Sequence, residues 1–353
     1  MRIVVFPAYR ENPFLGMLLG AAERAGAQIV DARTLDELEA ALAVRPSETV
    51  LHVHWTNPIA QSTNNPIAAR RNAHRFRRMV ERARQQGARL VWTVHNVLPH
   101  NAKHARVERG IHRFLAGAAD RVHVMHPDTA ALAAAEYALP PDRIRHIPHP
   151  SYIGAVPPAA DRGAARERLG IGADALAVLF LGQMRAYKGV LDLIDAAGEA
   201  AGQRELVLLL AGNATADEAA AIAAALAARP QLRAVRHLDF VDDAELPGWF
   251  AAADAVALPY RHILNSGSLL LAATYGVPVL LPAVPHLVRE HGAAAWVTLF
   301  DGRHALRRAL EEARVDDVAA RTAALAAAAA WTPDDASAAF LALLQELVPP
   351  VVE

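Results

Sequence analysis

Phe180-Leu181-Gly182-Gln183-Met184-Arg185-Ala186-Tyr187-Lys188-Gly189 joins the end of an apolar run to the start of a helical pattern. The run Ala177–Leu181 has the length and composition of a buried strand. A glycine-bearing loop between a strand and a helix gathers backbone N–H groups, and here also the cations of Arg185 and Lys188, at one place. That combination is an anion cradle. The competing reading is an ordinary loop with two solvated cations, and the strand–loop–helix context argues against it.

Working outward, the same alternation fills the chain. Strands are expected near Ile3–Phe6, Val50–His54, Leu90–Val94, Arg121–Met125 and Ile144–Ile147 in the first half. In the second they are expected near Ala177–Leu181, Leu206–Leu210, Ala234–His237, Ala255–Leu258, Val277–Leu281 and Trp296–Leu299. Helical patterns separate them, which predicts βαβ units and parallel sheets. At 353 residues the chain exceeds the roughly 100–200 residues of one domain. The period restarts after residues 149–158, a stretch of turn formers where we place a hinge. The expected fold class is α/β, with two doubly wound halves.

Composition narrows the function. Hydrophobic residues make up 53% and charged residues 21%, as in a globular protein. A formal net charge of −1 offers no global field for nucleic acid. There is no cysteine, so disulfides, zinc–thiolate sites and thiol nucleophiles are excluded. Met1–Pro7 is too short for a leader's apolar core and is read as the first strand. Ala323–Ala330 falls short of the ~18 residues that span a bilayer, and the absence of cysteine makes a cytoplasmic location the expected one.

Ligands of open parallel sheets bind beyond the carboxyl ends of the strands. His54-Trp55, His95-Asn96, His126 and His149 each follow a first-half strand. A single such histidine usually serves packing; four at equivalent places are read as lining a site. His52-Val53-His54 has the spacing of a metal pair but no third ligand, and no metal site is expected. Tyr9-Arg10-Glu11-Asn12-Pro13-Phe14 follows the first strand and brings Glu11 and Asn12 to the same edge, or simply enters a helix at Pro13. In the second half, Asn265-Ser266-Gly267-Ser268 precedes a helix over Leu269–Thr274 and gives a second phosphate-sized site. Two such sites suit a diphosphate. Gly212-Asn213, Phe240 and Val241 are placed where a base or ribose would rest, and Tyr260 joins the donor-binding set. Asp242 and Asp243 are also expected to begin the helix toward Trp249.

At these residues the sequence resembles the GT-B glycosyltransferases, most closely the family 4 type, with bacterial exopolysaccharide sugar transferases nearby. The resemblance is carried by Phe180–Gly189, Leu209-Leu210-Ala211-Gly212, Ala253-Asp254 through Pro259, and Tyr275-Gly276-Val277-Pro278-Val279. Trp92-Thr93-Val94-His95-Asn96 with Pro99-His100 looks like the loop such enzymes set against donor sugar and acceptor. The resemblance implies that the two domains face across a cleft, that Arg185 and Lys188 hold the donor diphosphate, and that the loop at Asp239–Val241 holds the base. It also implies that the last helix, Ala336–Leu347, returns to the first domain. The domains are therefore expected at 1–152 with 332–353 and at 153–331. The family commonly carries two glutamates eight positions apart, aligned here with Ile263 and Leu271, and neither position is acidic.

Sugar transfer from a nucleotide-diphosphate donor needs stabilised phosphates, a held acceptor hydroxyl and a proton acceptor. Arg185, Lys188 and Ser266–Ser268 supply the first; His95, His54 and Glu11 are candidates for the last; Asn12, Trp55, Asn96 and His126 are placed against acceptor or sugar. No Asp-x-Asp occurs, so transfer is expected to be metal-independent and to need no cofactor beyond the donor. The Arg70–Arg84 helix is basic, with Ala69, Ala73, Phe76, Val80 and Ala83 as its buried face and only Glu81 opposing its arginines. It is either a solvated helix or a dock for anionic lipid that brings a lipid-linked acceptor. The rival function is a non-catalytic sugar-nucleotide-binding subunit, motivated by the missing glutamates. A dinucleotide enzyme is disfavoured, since Phe6-Pro7-Ala8-Tyr9 stands where its glycine loop is required.

Overall fold

The structure, a computed structural model, describes residues 1–99, 102–261 and 263–348. His100 lies outside the described residues. The chain divides into two compact units, one of Met1–Pro150 with the chain from Pro333, the other of Ser151–Thr332.

In the first unit, β1 (Arg2–Phe6), β2 (Gln28–Asp31), β3 (Thr49–Val53), β4 (Arg89–Val94), β5 (Arg121–Val124) and β6 (Ile144–His146) form one sheet in the order β2-β1-β3-β4-β5-β6. All its ladders are parallel. Every residue of β1 and β3 is buried, as expected when helices cover both faces of a parallel sheet. Strand order reverses between β1 and β3, so the crevice at their carboxyl ends is where a ligand of this unit belongs. Strand β2 has no counterpart in the sequence reading. It sits at the sheet edge, and its end residues Gln28 and Asp31 are exposed, so it shows no apolar run.

The helix Pro333–Leu347 closes this unit. It packs along the helix Pro13–Arg24 and buries Ala336, Phe340, Leu343 and Leu344. The ring of Phe340 lies 4.7 Å from that of His52 and 5.7 Å from that of His123. Arg145 and Arg121 hold Glu346 at 2.8 and 2.9 Å.

The second unit repeats the plan with β7 (Leu176–Leu181), β8 (Leu206–Ala211), β9 (Arg233–His237), β10 (Ala255–Ala257), β11 (Val279–Pro282) and β12 (Val297–Phe300). The order is β12-β11-β10-β7-β8-β9, again parallel, with the reversal between β7 and β10. Asp254, fully buried just before β10, ties this unit together. It bonds Arg162, Arg166 Nη1 at 3.2 Å, the Ala177 amide at 2.8 Å and the Asp316 amide at 2.9 Å. Residues 151–157 are fastened to this unit: the Tyr152 amide donates to Thr274 Oγ1, and the Tyr275 hydroxyl donates to the Pro157 carbonyl.

One helix start differs from the sequence reading. Asp242 and Asp243 do not begin the helix before β10, which runs Leu246–Ala252. Asp242 accepts instead from the Ala244 amide in a local turn. On the basic helix, Pro66–Gln85, Ala73 is only half-buried, and Met79 takes its place in the core.

Candidate active site

In the second unit the reversal point is built from three glycines. Gly182 ends β7 and Gly212 ends β8, both at φ 134, a conformation open to glycine. A Cβ on Gly212 would stand 2.2 Å from the Gly182 carbonyl oxygen, so the two loops meet backbone to backbone. Gly189 (φ 71) starts the helix Val190–Ala200, and a Cβ there would meet the Pro259 carbonyl oxygen at 2.1 Å. The Lys188 ammonium returns over this crossing: it lies 3.1 Å from where a Cβ of Gly182 would be and 5.1 Å from the centroid of the Tyr260 ring. A cation over an aromatic face gains about 0.5–1 kcal/mol when exposed, so Tyr260 holds the lysine at the mouth of the loop. Ser266 caps the helix Gly267–Thr274 by accepting from the Leu269 amide at 3.3 Å, and the Tyr260 hydroxyl reaches Ser268 Oγ at 3.5 Å. Lys188, Tyr260, Ser266 and Ser268 therefore come together around Gly182 and Gly267.

Four other donor-side residues behave differently. Arg185 pairs with Glu218 at 3.3 Å, so its charge is already answered. The Asn213 carbonyl accepts from the Met184 amide and pins the loop through backbone alone. Phe240 is 75% exposed, whereas Val241 is buried in the core. Of the two, Phe240 presents the exposed apolar side chain, and the Val241 side chain packs inward.

In the first unit the crevice between β1 and β3 carries an aromatic and imidazole cluster. His54 Nδ1 lies 3.1 Å from His95 Nε2, and Trp55 stacks on His95 at 4.3 Å. Tyr9 approaches Trp55 at 5.6 Å, and Phe14 touches His54, His95 and His149. His54 is buried, and its Nε2 has no hydrogen-bond partner among the described residues. Asn96 joins His54, Trp55 and His95 in lining one cavity.

Below this cluster the interior is polar. His123 Nε2 donates to the Ile147 carbonyl at 2.9 Å, so its Nδ1 accepts from the Thr93 hydroxyl at 3.0 Å. Thr93 in turn accepts from His52 Nε2 at 2.8 Å. Every link is satisfied with both rings neutral. Burial drives the pKa values of His52, His54 and His95 well below the ordinary 6.5, and those of His123 and His149 to about 4, with neighbouring imidazoles adding to the effect at all but His149. His52 is engaged by Thr93 rather than by a metal geometry, and no group of three metal-ligating side chains occurs among the described residues.

The other first-half candidates have partners of their own. Glu11 is exposed and paired with Arg33 at 2.9 Å, with no hydrogen bond to the histidines. The Asn12 side chain accepts from the Phe14 amide as an N-cap, its structural alternative. His126 Nδ1 accepts from the Asp128 amide, two residues along its own loop. Sequence reading passed over Thr56, Gln61, Glu108 and His112, which are bonded to one another behind Trp55. On a helical pattern Glu108 looks like one more solvated charge, and no sequence spacing connects it to residue 56.

The profile of the family described as "Glycosyl transferases group 1" matches residues 175–315. Over 300 residues, 84% of this chain and 77% of the relative, the sequence is 26% identical to a "GDP-mannose:glycolipid 4-beta-D-mannosyltransferase" of Xanthomonas campestris pv. campestris. The solved structure of Anabaena Alr3699/HepE in complex with UDP and glucose aligns with a TM-score of 0.72 at 15% identity, covering 98% of this chain and 100% of that one. Residues 175–315 carry a group 1 glycosyl transferase domain, and the fold is that of the GT-B glycosyltransferases. A second relative, "D-inositol 3-phosphate glycosyltransferase 1" of Catenulispora acidiphila, is 30% identical over 223 residues, 60% of this chain and 52% of the relative. The group 1 glycosyl transferase domain holds the glycine crossing, Lys188, Tyr260 and the Ser266–Ser268 helix start.

Proposed function

We propose that the enzyme transfers a hexosyl unit, mannosyl from GDP-mannose in the first instance, to a glycolipid or saccharide hydroxyl without a metal. The observation that carries this reading is Lys188, held by Tyr260 over the crossing of Gly182 and Gly212. A diphosphate seated there would meet the ammonium and loop amides, with the capped helix at Ser266 as a second anchor. Arg185 would exchange Glu218 for phosphate. Phe240 offers an apolar surface for the base.

The Xanthomonas relative's name specifies a β linkage, and GDP-mannose carries its sugar in the α configuration, which together favour inversion. Inversion needs a base on the acceptor side, and His95 and His54, paired at 3.1 Å in the first-unit crevice, are the residues we assign to that role. Glu11, bound to Arg33, is the weaker candidate.

The test is transfer from GDP-mannose, UDP-glucose and other sugar nucleotides to a lipid-linked saccharide, with and without EDTA. Transfer is expected from one nucleotide series, unchanged by EDTA, with Lys188→Ala raising donor KM or lowering kcat/KM by about 100-fold or more, the scale of a lost charged phosphate contact. Equal activity in Lys188→Ala would remove the diphosphate assignment. Donor binding without transfer in any combination would favour the non-catalytic subunit.

The acceptor side also suggests a surface. Along the Pro66–Gln85 and Ala105–Ala118 helices runs a groove of about 820 Å³ bordered by Arg77, Arg84, Arg113 and Phe114. Arg75 is neutralised by Asp36 and Glu39, Arg77 by Glu81, and Arg84 by Asp120, so more acids oppose this helix than Glu81. Arg70, Arg71, Arg78 and Arg82 make no ion pair among the described residues, and Ile67 is 72% exposed at the helix start. No described helix is long and apolar enough to cross a membrane. We place the enzyme in the cytoplasm against anionic headgroups, each unpaired arginine adding about 1 kcal/mol near the surface. Co-sedimentation with phosphatidylglycerol vesicles is expected to fall with salt and with Arg→Ala at positions 70, 71 and 78; insensitivity to both would refute the docking.

A further inference from the structure

Behind Trp55 and His95, three side chains define a proton count. The Thr56 hydroxyl lies 2.7 Å from Glu108 Oε2 and 3.1 Å from His112 Nε2. Gln61 Nε2 donates to Glu108 Oε1 at 2.8 Å, and His112 Nδ1 meets the Val97 carbonyl at 3.1 Å. A carbonyl only accepts, so Nδ1 of His112 carries its hydrogen, and a neutral ring then offers a lone pair at Nε2. Thr56 has one hydroxyl hydrogen for two neighbours. If it points to His112, the contact with Glu108 needs a hydrogen from the carboxyl. If it points to Glu108, Nε2 must be protonated and the ring is an imidazolium. The group therefore holds one proton more than a carboxylate and a neutral imidazole.

The surroundings decide where that proton sits. Glu108 is 0% exposed and His112 4% exposed. His112 lies edge-on to Trp92 and Tyr137. Arg109, on the same helix, is spent on Glu136. An imidazolium and a carboxylate here would stand 3.9 Å apart and both be stripped of water, an arrangement that costs several kcal/mol per ion before Coulombic return. Burial also pushes the Glu108 carboxyl up and His112 down to about 4, the same direction.

We propose that Glu108 is kept as the neutral acid and donates to Thr56, which donates to His112, which donates to Val97. This one-way chain is a positioning device for the acceptor-side wall. Thr56 follows Trp55 directly, and Val97 lies two residues beyond His95, so the chain clamps both supports of the Trp55–His95 stack from behind. The consequence for catalysis rests on the transfer reading above; the proton assignment does not.

Infrared spectroscopy of the full chain at pH 7 decides the assignment. A protonated-carboxyl C=O band that shifts in D₂O and vanishes in Glu108→Gln is expected; a wild-type spectrum without it overturns the proposal. Kinetics test the positioning. Glu108→Gln keeps every bond, since its amide donates to Thr56 and accepts from Gln61, so kcat and KM should stay within about twofold. Thr56→Val should lower kcat about tenfold or more at unchanged donor KM, as misplacement of a reacting group does, and Thr56→Ser should restore it. Glu108→Gln as damaging as Thr56→Val would show that a charge is required and overturn the proposal. A chain that transfers no sugar at all would count against the function, while the infrared band still reports on Glu108.

Discussion

Acidifying the protein from pH 7 to pH 5 is expected to unfold the first unit. His112, His123 and His149 have pKa values near 4 in the folded chain, and His52, His54 and His95 are held well below 6.5. Unfolding returns each to about 6.5. Below that value the unfolded state binds protons that the native state refuses, so stability is full above 6.5 and falls as pH drops. Each such proton changes stability by about 1.4 kcal/mol per pH unit. The three rings near 4 alone give about 4 kcal/mol per unit below pH 6, and the other three add to it, against a typical total of about 5–15 kcal/mol. Glu108 acts in the opposite sense, because its raised pKa favours the folded state at low pH, but it is one proton against six. Urea midpoints at pH 7.5, 6.5 and 5.5, with hydrogen exchange assigning the loss to residues 1–150, check the effect. Replacement of His123 by Gln should reduce the slope by about 1.4 kcal/mol per unit. A flat profile between pH 7 and 5 would show that these rings take up protons in the folded chain as readily as in the unfolded one.

Asp254→Ala is expected to cost the second unit about 3–5 kcal/mol, the penalty for leaving a buried ion without its partner. The carboxylate is fully buried and answers Arg166, whose side chain is 7% exposed, and Arg162. It also holds two backbone amides, at Ala177 where β7 runs and at Asp316. Its removal takes the acceptor from both amides and leaves the buried Arg166 with carbonyl partners but no carboxylate. Asp254→Asn, which keeps the shape and one acceptor, should fall between wild type and Ala. Adding Arg166→Met to Asp254→Ala should recover part of the loss by removing the stranded cation, and the double-mutant cycle measures how much. Additive effects of the two changes would mean that the pair is not coupled.

What the sequence revealed follows the length scale of each interaction. Apolar runs such as Leu206–Ala211 are local, and they marked eleven strands; β2, half-exposed at an edge, left no run to see. The histidines at strand ends were visible because parallel sheets put their ligands there. Lys188 was legible for the same reason, but its seat over Tyr260 joins residues from different loops. Glu108 and Asp254 were opaque. A buried carboxylate and an exposed one are the same letter, and their partners at Thr56 and Arg166 lie 52 and 88 positions away. Val241 shows the converse, an apolar residue that packs inward where its neighbour Phe240 does not.

The return of Pro333–Leu347 to the first unit has a consequence for biosynthesis. As the chain leaves the ribosome, the first sheet emerges complete but lacks the wall that Phe340 provides for His52 and His123. The second unit is contiguous and can close as soon as Thr332 is free. The first unit, although begun earlier, cannot complete its core until residues 333–347 have been made, whereas the second has all its residues by Thr332.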